Sequence, residues 1–301
     1  MRNYHHRSYM SWRSIWRLLK ETVDEWQQDK VDRMAAALAY YTLFSIAPLL
    51  VIAVAVAGAV FGQEAARGEV VTQIQGLLGK AGAEVVQTAL ANTQNPQAGN
   101  GIVPTLISTL VLIFGASGVF VQLQDSLNTV WNVEVSSKAG VKAVVRKRIF
   151  SFAMVITIGF ILMISLVVSA GLAALSTFTN QLFPVLASLW RLLNLGISLG
   201  TFTFLFALIY KYIPDIKITW RDVLIGAAFT SVLFSIGKEL LGLYLGNGAF
   251  GSTYGAAGSL VTMLAWIYYS VQIMLFGAEF TQVYTRKYGS HRSTDDFYRA
   301  N

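Results

Sequence analysis

The chain has 301 residues, of which 54% are hydrophobic and only 13% charged, with a net charge of +7 and no cysteine. Soluble domains carry about 25% charged residues, so a mean hydropathy of +0.53 excludes an ordinary soluble fold. The lack of cysteine excludes disulfides, thiolate metal sites and cysteine nucleophiles.

The first predicted element is an amphipathic helix over Trp12–Asp32, within the polar segment 1–33. Its apolar residues recur at helical spacing, and they are Trp12, Ile15, Trp16, Leu19, Val23 and Trp26. Arg13, Arg17 and Lys20 fall off that face, which predicts a helix lying on the cytoplasmic leaflet. Packing against the cytoplasmic loops is an equally weighted alternative, because tryptophan suits both a membrane boundary and a protein core.

Six apolar runs follow, each of which meets the length of about 20 residues that a spanning helix needs. They are Ala35–Phe61, Ile102–Val121, Ile149–Ala173, Leu189–Tyr212, Val223–Leu245 and Leu260–Phe280. Backbone groups in lipid must form their hydrogen bonds within the segment, so these runs must be helices. The sequence therefore predicts an all-α membrane domain over 34–285, followed by a tail over 286–301.

Basic residues alternate between rich and poor connections along the chain. Seven precede the first run, five lie between the second and third, three lie between the end of the fourth, at Lys211, and the start of the fifth, and four follow the sixth. The other connections hold only Arg67 and Lys80, with Arg191 at the start of the fourth run and Lys238 inside the fifth. The positive-inside rule then predicts that both termini lie in the cytoplasm.

Two connections on the predicted outer side have a recognisable pattern. Residues 63–101 contain two stretches with helical spacing separated by Gly79 and Gly82, which predicts a short helical hairpin. It could act as a lid, although simple cover for the bundle is the favoured interpretation. Gly246–Gly258 is uncharged and rich in glycine, and a flexible turn is favoured there over a broken helix.

Four stretches in order carry a family resemblance, namely Ala35–Leu50, Gly115–Val133, Tyr210–Ile225 and Tyr254–Phe280. On these stretches the chain resembles the YihY/BrkB family, which implies a six-span protein of the bacterial inner membrane. That family also carries an old ribonuclease BN label. Nuclease chemistry needs a metal cluster or a histidine pair, whereas this chain has only His5, His6 and His291, so the label is not carried over.

Polar residues inside the predicted spans are the candidate site, because a charge at the centre of a spanning helix costs about 2.5–3.5 kcal/mol. The predicted substrate-binding residues are Lys238, Glu239, Gln272, Tyr269, Ser235, Glu279, Asp125, Gln122 and Tyr41. We expect them to line a polar cavity, with Lys238 holding an anionic head group. The alternative is structural: Lys238 forms an ion pair or extends toward water, and Asp125 and Glu279 lie at the water boundary.

The leading functional hypothesis is therefore a transporter or flippase-like handler of a lipid or another amphiphile. The alternative is a membrane scaffold that docks an envelope partner through its external loops, and an intramembrane enzyme or ribonuclease ranks last. Membrane lipids are the expected partners, and no nucleic acid, metal or cofactor is predicted. Pairs of glycines at G-x-x-x-G spacing are more readily explained by packing within one chain than by a homo-oligomer.

Overall fold

The computed structural model describes residues 12–62, 118–133, 187–246 and 258–289, together with single positions between these ranges. Every continuous element in these ranges is an α-helix, which confirms the predicted all-helical class for the described part of the chain. In chain order they are α1 (Trp12–Gln28), α2 (Val31–Phe61), α3 (118–130), α4 (Ala187–Tyr212), α5 (Trp220–Gly246) and α6 (Gly258–Lys287).

Three stretches of these helices are long and apolar enough to cross a membrane: Leu195–Tyr212, Trp220–Tyr244 and Leu260–Lys287. They correspond to the fourth, fifth and sixth predicted runs. The run Ile149–Ala173, the hairpin 63–101, the glycine-rich residues 247–257 and the tail beyond 289 lie outside the described ranges.

One predicted boundary is wrong. The N-terminal helix ends at Gln28 instead of Asp32, because Lys30 adopts the left-handed conformation (φ 54°, ψ 47°) and breaks the chain into α1 and α2. Of the second predicted run, Ile102–Val121, residues 102–117 lie outside the described ranges, and α3 extends from its last residues to residue 130. That extension is favoured because its polar end is bonded to the connection between α4 and α5.

The last turns of α6 lie at the centre of the described bundle. This helix packs against α1, α2 and α5, and α5 also packs on α4. Leu18 of α1 and Phe280 and Val283 of α6 form one cluster, against which Ile225 near the start of α5 also packs. The start of α2, the α4–α5 connection and the end of α6 therefore meet at one end of the bundle, which we call the α1 end.

The α5–α6 crossing is unusually close because a glycine of each helix faces a threonine of the other. A methyl group at Gly226 would lie 1.8 Å from Thr281 Oγ1, and one at Gly277 would lie 1.9 Å from Thr230 Oγ1. Each threonine donates a hydrogen bond to the carbonyl of the glycine four residues earlier in its own helix, at 2.8 Å for Thr230 and 2.6 Å for Thr281. Small residues of this kind let two backbones approach.

A second set of contacts fixes the α4–α5 connection at the same end. Asn128 of α3 donates to Asp215 Oδ2 at 3.0 Å and accepts from the Asp215 backbone N–H at 2.8 Å, while Gln124 donates to the other carboxylate oxygen at 3.1 Å. Lys211 Nζ donates to the Ile218 carbonyl and lies 5.8 Å from the centre of the Trp220 ring. Both α3 and α4 therefore hold this connection in place.

Candidate functional site: a buried carboxyl pair

The turn between α1 and α2 presents Asp29 to the bundle. Its backbone N–H still donates to the Glu25 carbonyl at 2.9 Å, as in a helix, but the next residue, Lys30, has a positive φ. A non-glycine residue in that region costs about 1–2 kcal/mol. Such strain persists only when the surrounding structure enforces it, and here the result is that Asp29 is turned toward α6.

Glu279 of α6 is the partner of Asp29. Its side chain is 1% exposed, in a run of α6 where residues 277–283 are all buried. Asp29 and Glu279 share a side-chain hydrogen bond, which two carboxyl groups can form only if one of them carries a proton. Burial disfavours the charged form, so the more buried Glu279 is the natural proton holder and Asp29 accepts from it.

Four side-chain oxygen atoms of this pair and of the last turns of α6 are buried without a hydrogen-bond partner among the described residues. They are Asp29 Oδ2, Glu279 Oε1, Gln282 Oε1 and Thr285 Oγ1. Buried polar atoms are bonded in the great majority of cases, so four exceptions on one turn and the last three turns of α6 mark a polar region. In the described ranges no group of three or more His, Asp or Glu could hold a metal ion.

The charges around the pair come from α1 and from the end of α6. Glu25 accepts from Arg286 at 2.8 Å, and Glu21 accepts from Arg286 at 2.7 Å and from Lys287. Burial raises the pKa of Asp29, and the nearby charge of Glu25 raises it further, although the hydrogen bond with Glu279 opposes both effects. Burial also raises the pKa of Glu21, but the hydrogen bonds from Lys287 and Arg286 outweigh burial and hold that pKa below its ordinary value.

Lys238 and Glu239 occupy a different environment, in the half of α5 that is remote from the α1 end. Lys238 is half-buried and Glu239 is exposed, and neither has an ion pair in the described ranges. Ser231, on the face that carries Lys238, donates to the Leu199 carbonyl at 3.0 Å, so this face is directed toward α4. Ser235 donates back to the Ser231 carbonyl at 2.8 Å and stays within α5.

The remaining predicted site residues are spread over three helices. Tyr269 of α6 is 51% exposed and Gln272 is half-buried, while Tyr41 of α2 is 42% exposed. On α3, Gln122 is half-buried and Asp125 is exposed. Their membership of one cavity therefore stays a prediction, and Glu279 is the predicted residue that the structure places in a buried polar cluster.

Sequence reasoning missed Asp29, Gln282 and Thr285. Asp29 was assigned to a continuous amphipathic helix, and nothing in the local sequence predicts the left-handed Lys30 that turns it inward. A signal did exist for the helix crossing: Gly226 with Thr230, and Gly277 with Thr281, share the spacing G-x-x-x-T. Only glycine–glycine pairs were considered at that spacing.

The family model described as virulence factor BrkB matches residues 22–298. The chain belongs to the BrkB family. This confirms the resemblance drawn from the four sequence stretches, and the matched region contains both carboxyl groups of the pair. The family description concerns the family as a whole and assigns no role to individual residues.

Curated relatives of this BrkB-family chain are named UPF0761 membrane proteins. One from Alteromonas mediterranea is 28% identical over 263 residues, which cover 85% of this chain and 83% of the relative. One from Pseudoalteromonas translucida is 27% identical over 259 residues, or 84% of this chain and 81% of the relative. For a Pseudomonas aeruginosa relative, 28% identical over 260 residues, the alignment covers 83% of this chain but 58% of the relative. No solved structure matches the chain. The named relatives and the three long apolar helices together show that the protein is a membrane protein.

Proposed function

We propose that this BrkB-family protein moves a lipid-like amphiphile across the bacterial inner membrane, under the control of one proton held between Asp29 and Glu279. The observation that carries the proposal is a carboxyl group that is 1% exposed on an apolar helix and hydrogen-bonded to a second carboxyl group. Ionisable groups inside membrane proteins are costly to bury and mark ion pathways and proton relays. No catalytic step is assigned to the chain.

The proton controls the contact between the α1–α2 turn and α6. While it is present, the pair is held by a hydrogen bond. When it leaves, two negative charges face each other with the Glu25 carboxylate nearby. Two like charges about 4 Å apart repel by about 4 kcal/mol near a protein surface, which weakens the contact between the turn and α6. The α1 end of the bundle would then open.

The substrate class is inferred from two sides of α5. Lys238 lies on the side directed toward α4, whereas Ile236, Leu240, Leu243 and Tyr244 are exposed on the other side of the same helix. A cation on the inward side and an apolar surface on the outward side suit an anionic head group joined to acyl chains, since the apolar surface accommodates the chains. A soluble, fully polar substrate would find no comparable surface there.

The proposed topology is the predicted one: six spanning helices with both termini in the cytoplasm. Its support is that the ends of α1, α4 and α6 and the starts of α2 and α5 meet at the α1 end, as an alternating chain requires. This end also carries basic residues, namely Lys211 of α4, Lys217 of the α4–α5 connection, Arg221 of α5, and Arg286 and Lys287 of α6. The positive-inside rule assigns such an end to the cytoplasm.

The test is lipid movement in proteoliposomes that contain fluorescent phosphatidylglycerol, with dithionite added outside to bleach the exposed label. Wild type should move the label at a rate that depends on internal pH. Glu279→Gln keeps a hydrogen-bond donor but cannot release a proton, so its rate should be slow at every pH. Asp24→Asn, an exposed carboxyl of α1, is the matched control and should behave as wild type.

Two outcomes would overturn the proposal. If Glu279→Gln keeps the pH dependence of wild type, the pair is not the controlling proton site. If the folded wild type moves no label at any pH, lipid transport itself is wrong, and the scaffold hypothesis becomes the better one.

A further inference from the structure

Helix α1 has one face that packs against the bundle and another that stays exposed. Leu18 is 1% exposed and Thr22 is fully buried, and Leu18 packs against Phe280 and Val283 of α6. Glu21 and Glu25, next to this face, hold the ion pairs with the end of α6. This side of α1 is therefore a bundle contact, and it fixes the orientation of the helix.

The opposite face remains exposed and is basic and aromatic. Trp16 is 67% exposed and Val23 is 40% exposed. Turning 100° per residue places the exposed Lys20 and Arg13 beside Trp16, with Arg17 at the edge, and Asp24 is the one acidic residue on this arc. The apolar stripe predicted from the sequence is thus divided: Ile15, Leu19 and Trp26 are half-buried, while Trp16 and Val23 face outward.

We propose that this exposed face, formed by Arg13, Trp16, Arg17, Lys20 and Val23, binds the anionic head groups of the membrane around the bundle. Its position carries the proposal: α1 is anchored by ion pairs to Arg286 and Lys287, at the end of the apolar stretch Leu260–Lys287. The helix therefore lies where the apolar surface of the bundle stops, which is the level of the head groups.

The side chains on this face suit that boundary. Tryptophan has an apolar ring and one N–H donor, so it is favoured where one side is apolar and the other wet. Cations beside a membrane are attracted by anionic lipid at an energy equivalent to about fivefold in affinity for each charge. A docked protein partner would instead need an acidic surface complementary to these cations. This inference does not depend on the proposed transport.

The first experiment locates the face. Because the chain has no cysteine, Val23→Cys can be labelled singly with a fluorophore while Trp16 and the three cations are retained. In nanodiscs with phosphatidylglycerol, lipids that carry a spin label near the head group should quench this fluorophore strongly. The exposed position Gln28→Cys, at the end of α1, lies about 140° from Val23 and just beyond Arg17 at the edge of the face; it is the control and should be quenched less. Equal, weak quenching at both positions would overturn the proposal.

The second experiment tests the charges. In R13Q/R17Q/K20Q, the phosphatidylglycerol retained by the purified full chain, counted by native mass spectrometry, should fall by at least about fivefold. R33Q/K217Q/R221Q removes three exposed cations from the same end and should retain lipid as wild type does. An equal loss in both variants would show general attraction instead of a site. Neither readout measures lipid movement, so failure here is distinct from failure of the proposed transport.

Discussion

Two glutamates on neighbouring helices of this membrane protein differ sharply in burial and in hydrogen bonding. Glu279, near the α1 end of α6, is 1% exposed and hydrogen-bonded to Asp29. Glu239, in the remote half of α5, is exposed and has no ion pair in the described ranges. The first can be neutral and bonded only while a proton is bound, whereas the second can keep its charge beside lipid head groups or water. Packing by other helices, and not the residue type, separates a proton site from a surface charge.

Two glycines show the same contrast between a packed and an open position, and substituting the packed one should have the largest effect on stability. Gly277→Ala places a methyl group 1.9 Å from Thr230 Oγ1 and 2.7 Å from Tyr210 Oη, in the crossing that positions Glu279. We expect a loss of about 2–3 kcal/mol of unfolding free energy, since an overpacked core must shift backbone. Thermal unfolding in detergent measures it. Gly242→Ala in the remote half of α5 has nothing within 4 Å and is the control. Equal stability of the two variants would contradict the claim that the α5–α6 crossing at Gly277 is tightly packed.

The second prediction concerns the pH dependence that Asp29 confers. Its pKa is raised in the folded state, so its stabilising contribution is complete below the ordinary pKa of an aspartate and is lost as the pH rises through the folded pKa. Asp29→Asn still accepts from Glu279 but cannot ionise. We expect it to be more stable than wild type near neutral pH and to show a flatter pH profile.

Unfolding temperatures measured over a pH series for wild type and Asp29→Asn decide this point. Asp24→Asn, at an exposed position of the same helix, should follow wild type throughout. A variant Asp29→Asn that is less stable than wild type at neutral pH would mean that the charged carboxylate stabilises the turn, against the present interpretation.

Glu21, in α1, is expected to have the opposite effect on the pH dependence of stability. Its pKa is lowered by Lys287 and Arg286, so its contribution is present above the ordinary pKa of a glutamate and is lost as the pH falls through the folded pKa. Glu21→Gln should therefore cost about 0.5–1 kcal/mol near neutral pH, the upper range for a partly exposed ion pair, and almost nothing in acid. Unfolding in high salt should reduce the difference as well. A cost that persists in acid and in salt would assign it to packing.

The smallest effect on stability is expected at Lys238. Because this cation has no ion pair in the described ranges, Lys238→Gln should change the unfolding free energy by less than about 0.5 kcal/mol. Movement of phosphatidylglycerol in proteoliposomes should nevertheless slow by about fivefold, the value of one cation near an anionic head group. The exposed Lys217→Gln is the control. A large loss of stability would show instead that Lys238 has a structural role.

Much of the helical architecture could be predicted from single residues and their spacing. The fourth, fifth and sixth apolar runs are long helices, and the N-terminal segment forms α1. The end of that segment was misplaced, because a left-handed Lys30 is imposed by contacts of the turn and has no local sequence signal. Of the two equally weighted interpretations of α1, packing applies to Leu18 and Thr22, which are buried in the bundle, whereas contact with lipid stays a prediction for the exposed Trp16.

The candidate site was less accessible from the sequence. Glu279 was selected because a carboxylate in an apolar run is costly wherever it lies. Its partner could not be selected in the same way, because Asp29 sits in a polar segment where a carboxylate is unremarkable. Lys238 and Glu239 were selected by the same rule as Glu279, and they differ from it only in how the neighbouring helices cover them.

The sequence by itself determined that this is a helical membrane protein, because apolar runs of about 20 residues must form their hydrogen bonds internally in lipid. It also determined which side chains share a face of each helix, since that depends only on the local turn of 100° per residue. The tertiary structure decided which faces meet. The close contact of Gly226 and Gly277 with threonines brings α5 against α6, and the left-handed turn at Lys30 brings Asp29 to Glu279. Contacts between residues so far apart in the chain depend on packing, which no local pattern encodes.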